Sequence, residues 1–254
     1  PLSQQMIAGI GWQTAAIILA TLVLMILPLA LLLSHAASET LKKKDKQSLG
    51  DAIREARTHS GFWLLLIGFF VCGFQVQFIN NHMENYLKVN MGVVGPVMAA
   101  TAISLIGLFN MIGTSAAGYL GGKFRMKYLL SILYTARSFV FLAFFLLPLS
   151  KTTVILFACL VGILWLATVP LTSGIVAQIF GPRYMATLYG AVFLSHQIGS
   201  FTSVWLAGRI FDANQNYDVI WWLIISAGFV AALLHCPIDD KPVARLRKEQ
   251  ATIV

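Results

Sequence analysis

Long apolar runs, separated by short polar or basic stretches, set the pattern of this chain. A helix needs about 20 mostly apolar residues to cross a bilayer. Runs of that order lie at roughly 10–34, 61–87, 95–121, 128–148, 152–176, 184–207 and 217–236. Only residues 35–60 form a long polar segment. Its charge run, Lys42, Lys43, Lys44 and Lys46, reads as a solvated linker, with partner docking as the rival reading. Asp51, Arg54 and Glu55 fit a short amphipathic helix within it. The pattern predicts an all-α membrane protein with seven transmembrane helices. With 58% apolar and 11% charged residues, no soluble domain is expected.

Within the spans, small residues recur at helical spacing. Ala191, Ser195, Gly199, Ser203 and Ala207 form one ridge, and Gly113, Ala117 and Gly121 a second. Such ridges let helices approach closely in lipid, where packing replaces the hydrophobic effect. The run from Trp165 to Gly208 combines the first ridge with Pro170, which removes a backbone donor and predicts a helix break. Irregular backbone at that depth is tolerated against protein or a cavity. A broken helix beside a tight helix pair therefore points to a transport path.

Polar side chains inside the spans are the candidate path residues: Gln75, Gln77, Asn110, Thr168, Thr172, His196 and Gln197. Each also has a plainer reading, as a hydrogen bonder between helices or at an interface. Gln75 and His82 are seven apart and share a face. His196 titrates near neutral pH in water and is a candidate proton relay. Ser195 and His196 are adjacent, point to different faces and form no nucleophile–base pair. Arg137 lies ten residues beyond Lys127, about 15 Å deep in a ~30 Å core. An intramembrane cation marks a possible charge site. Its partner is not visible in the sequence, which leaves helix carbonyls, an anionic ligand or another segment open, as well as a bracing role.

The net charge of +8 would suit nucleic acid if it were clustered on a fold. Here it is topological. With 35–60 placed in the cytoplasm, most Lys and Arg fall on the inner side and only Lys88, Lys151 and Arg209 outside. The same assignment puts the C-terminus in the cytoplasm, on a short basic tail expected to be solvated. Cys72, Cys159 and Cys236 fit neither a metal site nor a disulfide framework. No cofactor, metal or nucleic-acid partner is expected; the partners are the bilayer and a small-molecule substrate. The opening PLSQQ, without Met or a basic leader, reads as the start of a fragment or processed product.

The loop GYLGGKFRMK after the third span resembles the G-x-L-x-D-[RK]-x-G-[RK]-[RK] element of the major facilitator superfamily. Gly118, Leu120, Lys123 and Lys127 fit; Gly122 stands where the acid is expected and Arg125 where glycine is. The run IFGPRYMATLYG, with HQIGS and AGRIFD after it, resembles the monocarboxylate-porter-like and oxalate/formate-antiporter-like bacterial branches. The resemblance implies spans six to twelve of a twelve-span carrier, with spans one to five missing. Residues 1–34 would be the last helix of the N-terminal bundle and 35–60 the central cytoplasmic loop. Residues 61–236 would be the C-terminal six-helix bundle and 237–254 a cytoplasmic tail. It further implies a bacterial inner membrane and secondary transport of a small organic acid by alternating access, by symport or antiport and with proton coupling as an option. The span holding Arg137 sits outside the path in that family, and the path spans here carry no Lys or Arg. A non-transporting half-carrier or assembly protein is the alternative. A retinal protein is excluded by the absence of Lys from 217–236, and no intramembrane protease motif occurs.

Overall fold

The apolar runs fold as helices, and no strand occurs among the described residues. In this computed structural model the described residues are 6–7, 9–24 and 47–247. They fall in two units that divide after Ser48. In the first, helix α1 (Trp12–Leu24) has 13 residues. That is about 20 Å, short of the ~30 Å apolar core. Residues 25–34 of the expected 10–34 span lie outside the described residues.

The second unit holds α2 (Leu49–Thr58), α3 (Ser60–Met91), α4 (Gly95–Gly121), α5 (Met126–Leu146), α6 (Lys151–Leu164), α7 (Thr168–Phe180), α8 (Met185–Asn214) and α9 (Asp218–His235). Five elements are long and apolar enough to cross a membrane: α3, α4, α5, the joined pair α6–α7, and α9. The expected span 184–207 forms α8, which has 30 residues but is not among the five. Ser195, His196, Gln197, Ser200, Thr202 and Ser203 dilute its apolar character. Ser195, His196 and Ser203 are buried within the bundle, so protein rather than lipid receives them.

Helix α3 is the central element. It packs most extensively on α8, and also on α4 and α9; α4 pairs with α6, and α5 with α9. The ridge on α8 makes the first contact possible. Ser195 Oγ donates to Leu66 O at 2.8 Å, and a Cβ on Gly199 would strike the Phe70 carbonyl. A Cβ on Gly73 of α3 would likewise strike the His196 carbonyl. Ser203 and Ala207 continue the buried face. Ala191 is exposed, so the working ridge starts one turn later than the spacing implied. The second ridge faces α6 and α7: a Cβ on Gly113 would strike Ile163 backbone, and one on Gly121 would lie 2.9 Å from Leu171 Cδ2.

The chain beyond α9 departs from expectation. Residues 237–247, read as solvated tail, fold back against the bundle. Ile238, Asp240 and Val243 are buried, because two apolar side chains and one paired acid give this stretch an inner face.

Candidate functional site

The break expected at Pro170 lies one turn before it. Helix α6 ends at Leu164, Trp165–Ala167 are not helical, and α7 begins at Thr168. Pro170 sits in the first turn of α7, where its missing N–H is tolerated. Its ring crowds the carbonyl four residues back and its nitrogen cannot bond it, so the irregularity falls upstream. The break leaves carbonyls at the end of α6 and an N–H before α7 without helical partners.

Side chains from two other helices supply those partners. Arg137 of α5 is fully buried. Its Nη2 donates to Leu164 O and, at 2.8 Å, to Trp165 O. Asn110 of α4 accepts the Leu166 N–H on Oδ1 at 3.0 Å, and Thr114 donates to the same oxygen at 3.2 Å. The guanidinium thus faces the negative end of the α6 dipole. Among the described residues no carboxylate pairs with it. Of the partners left open by the sequence, helix carbonyls are the ones found.

Arg137 also ties α3 into the break. Its Nη1 lies 3.4 Å from Gln75 Oε1 and 3.6 Å from Cys72 Sγ. Gln75 passes the link on, donating from Nε2 to Ile224 O of α9 at 2.8 Å. Cys72 Sγ lies 3.3 Å from Thr168 Oγ1, the first residue of α7. Gly228 of α9 leaves room for this cluster: a Cβ there would strike Gln75 Nε2 and Ser138 Oγ. The Tyr134 ring lies 5.4 Å beneath the guanidinium, and its hydroxyl donates to Gly68 O at 2.8 Å.

The predicted site residues therefore divide. Gln75, Asn110, Thr168 and Arg137 converge on the helix break. Thr172 lies one turn further along α7, with a buried hydroxyl that has no hydrogen-bond partner among the described residues. His196 of α8 lies near the Cys72 thiol. Its Nδ1 lies 3.2 Å from Gln197 Oε1, and its buried Nε2 makes no hydrogen bond of ordinary geometry among the described residues. Gln197 is exposed and Gln77 half-buried; neither joins the buried cluster. Cys72 joins two parts of the cluster, and nothing in the sequence marked it beyond its place in an apolar span.

A second polar set lies further along α3. His82 Nε2 is 3.1 Å from Val204 O and its Nδ1 is 3.2 Å from Tyr217 OH. Asn85 donates to the same Tyr217 oxygen at 2.9 Å. The arrangement fits a neutral imidazole protonated on Nε2, with Tyr217 donating to Nδ1. These groups satisfy one another and fix α3 to α8 and the start of α9.

Asn110→Leu tests the α4 contribution. It leaves the Leu166 N–H without an acceptor, at a cost of about 1–3 kcal/mol. Faster hydrogen exchange is expected at Leu166, with α9 unchanged. Equal exchange in variant and parent would refute the assignment.

Comparison with known proteins gives two matches. A family model described as Major Facilitator Superfamily matches residues 1–204. The uncharacterized MFS-type transporter YcxA of Bacillus subtilis (strain 168) is 28% identical over 249 residues. That alignment takes in 92% of this chain and 59% of the relative, so the chain spans under two thirds of the relative's length.

Proposed function

The chain belongs to the major facilitator superfamily, and on that premise we propose that it is part of a secondary transporter moving a small organic acid, a monocarboxylate or similar, by alternating access. The observation that carries this reading is the α6–α7 discontinuity, braced from three helices. Discontinuous helices at mid-membrane are where carriers place substrate and coupling ions. Residues 61–236 act in this reading as one six-helix bundle and 35–60 as the linker before it. The protein is an integral, multi-pass membrane protein; placement in a bacterial inner membrane with a cytoplasmic C-terminus belongs to the proposal.

Arg137 is committed to helix carbonyls, so it acts as a brace rather than as the ligand of an anion. Of the path candidates, His196 is then the one that gains positive charge by protonation, and its burial on α8 beside the Gln197 amide supports that role. Gln77 and Gln197, more exposed and near the middle of long helices, are the amides offered to solute or water. A carboxylate that binds only with protonated His196 implies proton coupling.

The test is uptake of radiolabelled lactate, formate and oxalate by vesicles containing the chain, with an inward proton gradient. Uptake above protein-free vesicles is expected for at least one of them. His196→Ala should lower it about tenfold or more, the value of one charged hydrogen bond. No uptake of any of the three, by the folded chain alone or with a co-expressed N-terminal segment of a carrier, would overturn the reading. The alternative reading is a non-transporting half-carrier or assembly protein that needs a partner. Flux that requires a co-expressed N-terminal segment of a carrier would identify that case.

A further inference from the structure

The α4–α5 loop lacks an acid at Gly122, yet its Arg125 is paired. Its Nη2 and Nε donate to Asp240 Oδ1 and Oδ2 at 2.5 and 3.2 Å. Asp240 comes from the segment after α9, 115 positions away in sequence, and only 4% of its surface is exposed. The same segment is fastened at further points. Lys127 Nζ of α5 donates to Ile238 O at 2.6 Å. Gln178 Nε2 of α7 donates to Asp240 O at 2.7 Å.

The strap also closes the end of α7. The Val243 N–H donates to Ile179 O at 3.0 Å, and Arg245 Nη2 to Phe180 O at 3.0 Å. These are the carbonyls that a helix end leaves unpaired. Arg245 lies 3.7 Å from Glu55 of α2 as well. One short segment therefore touches α2, α5 and α7.

We propose that residues 238–246 are a latch in which Asp240 stands in for the acid missing from the α4–α5 loop, positioning the adjoining ends of α5 and α7 against each other. It binds helices that are only loosely connected through the chain, and it does so with charge-assisted and backbone hydrogen bonds rather than apolar burial alone. The hydrogen bond from Arg125 holds the Asp240 carboxyl below its ordinary range, with Lys127 adding to the effect. Arg125 of the α4–α5 loop and Lys127 of α5 are the charged groups turned toward Asp240 from that side, and Gln178 of α7 is neutral. The latch contribution is therefore complete at neutral and mildly acidic pH. It is lost only as pH falls through the lowered value, beneath the usual ~3.9.

The test is hydrogen exchange, read by mass spectrometry, on the full chain in bilayers of phosphatidylglycerol and phosphatidylethanolamine. Arg125→Gln and Asp240→Asn should each speed exchange at the Val243 amide about tenfold, as loss of one charge-assisted bond implies. The double variant should add little to either, since both remove the same contact. Gly122→Asp offers Arg125 a competing acid, at a position where a Cβ meets nothing closer than 3.5 Å, and should also speed exchange. Unchanged α9 amides report that the bundle is intact. Arg125 is exposed, so Arg125→Gln carries the test even where Asp240→Asn does not fold. Unchanged exchange in Arg125→Gln, or fully additive effects in the double variant, would overturn the latch.

Discussion

Arg137→Met is expected to destabilise the bundle by about 2–4 kcal/mol. Two opposing effects set that figure. Removing the guanidinium leaves Leu164 O, Trp165 O and Gln75 Oε1 without this donor, at about 1–3 kcal/mol for each buried acceptor. Against this, the bundle no longer holds a desolvated cation, a burden of several kcal/mol that offsets part of the loss. The acceptors win because two of them are backbone carbonyls of an interrupted helix and cannot turn away. Arg137→Lys should fall between parent and Met. It retains the charge, but a single ammonium cannot reach both carbonyls and the Gln75 amide in the planar array that arginine offers. Unfolding of the reconstituted chain in denaturant measures both. Exchange at Leu166 and Ala167 should rise in both variants before global unfolding. Parental stability in Arg137→Met would show that the brace contributes nothing.

That contact also marks the limit of what the sequence reveals. Arg137 was visible as a charge at depth, because Lys127 fixes where α5 starts. Its partners were not visible, because backbone carbonyls have no letter of their own. They become special only when the helix breaks, and the break was displaced from Pro170 to Trp165–Ala167 by the reach of the proline ring to the preceding turn. The latch was hidden for another reason. Arg125 and Asp240 are far apart in sequence, and a basic segment after the last span has the composition of a solvated tail. Only Ile238 and Val243, as spaced apolar residues, hinted at an inner face.

The long spans were legible because apolar length is a physical requirement of the bilayer. The ridge on α8 was legible because four-residue spacing of small side chains repeats. Gly73 escaped notice because no small residue lies three or four positions from it, and Gly162 because Ala158 alone precedes it at that spacing, too short a run to read as a ridge. Both are nonetheless contact points: a Cβ on Gly162 would lie 2.8 Å from Phe109 Cβ and 2.9 Å from Ile106 O. The face opposite a small-residue ridge need not carry a ridge of its own.

Gly199→Leu and Gly73→Leu should each force α3 and α8 apart. The added Cβ falls on the carbonyl of the facing helix, Phe70 O for one and His196 O for the other. Backbone cannot swing aside as a side-chain tip can, so the cost belongs at the upper end for overpacking, about 3 kcal/mol or more. Separation has a second effect in lipid. No hydrophobic force pulls the helices back, so the lost van der Waals contact is not recovered elsewhere. The Ser195–Leu66 hydrogen bond at 2.8 Å would open with it. Gly208→Leu on the same α8 helix is the control, since a Cβ there meets nothing within 4 Å; its effect should stay within about 0.5 kcal/mol. Stability in denaturant separates the cases. If Gly199→Leu matched Gly208→Leu, the close approach of α3 and α8 would be no more than tolerated.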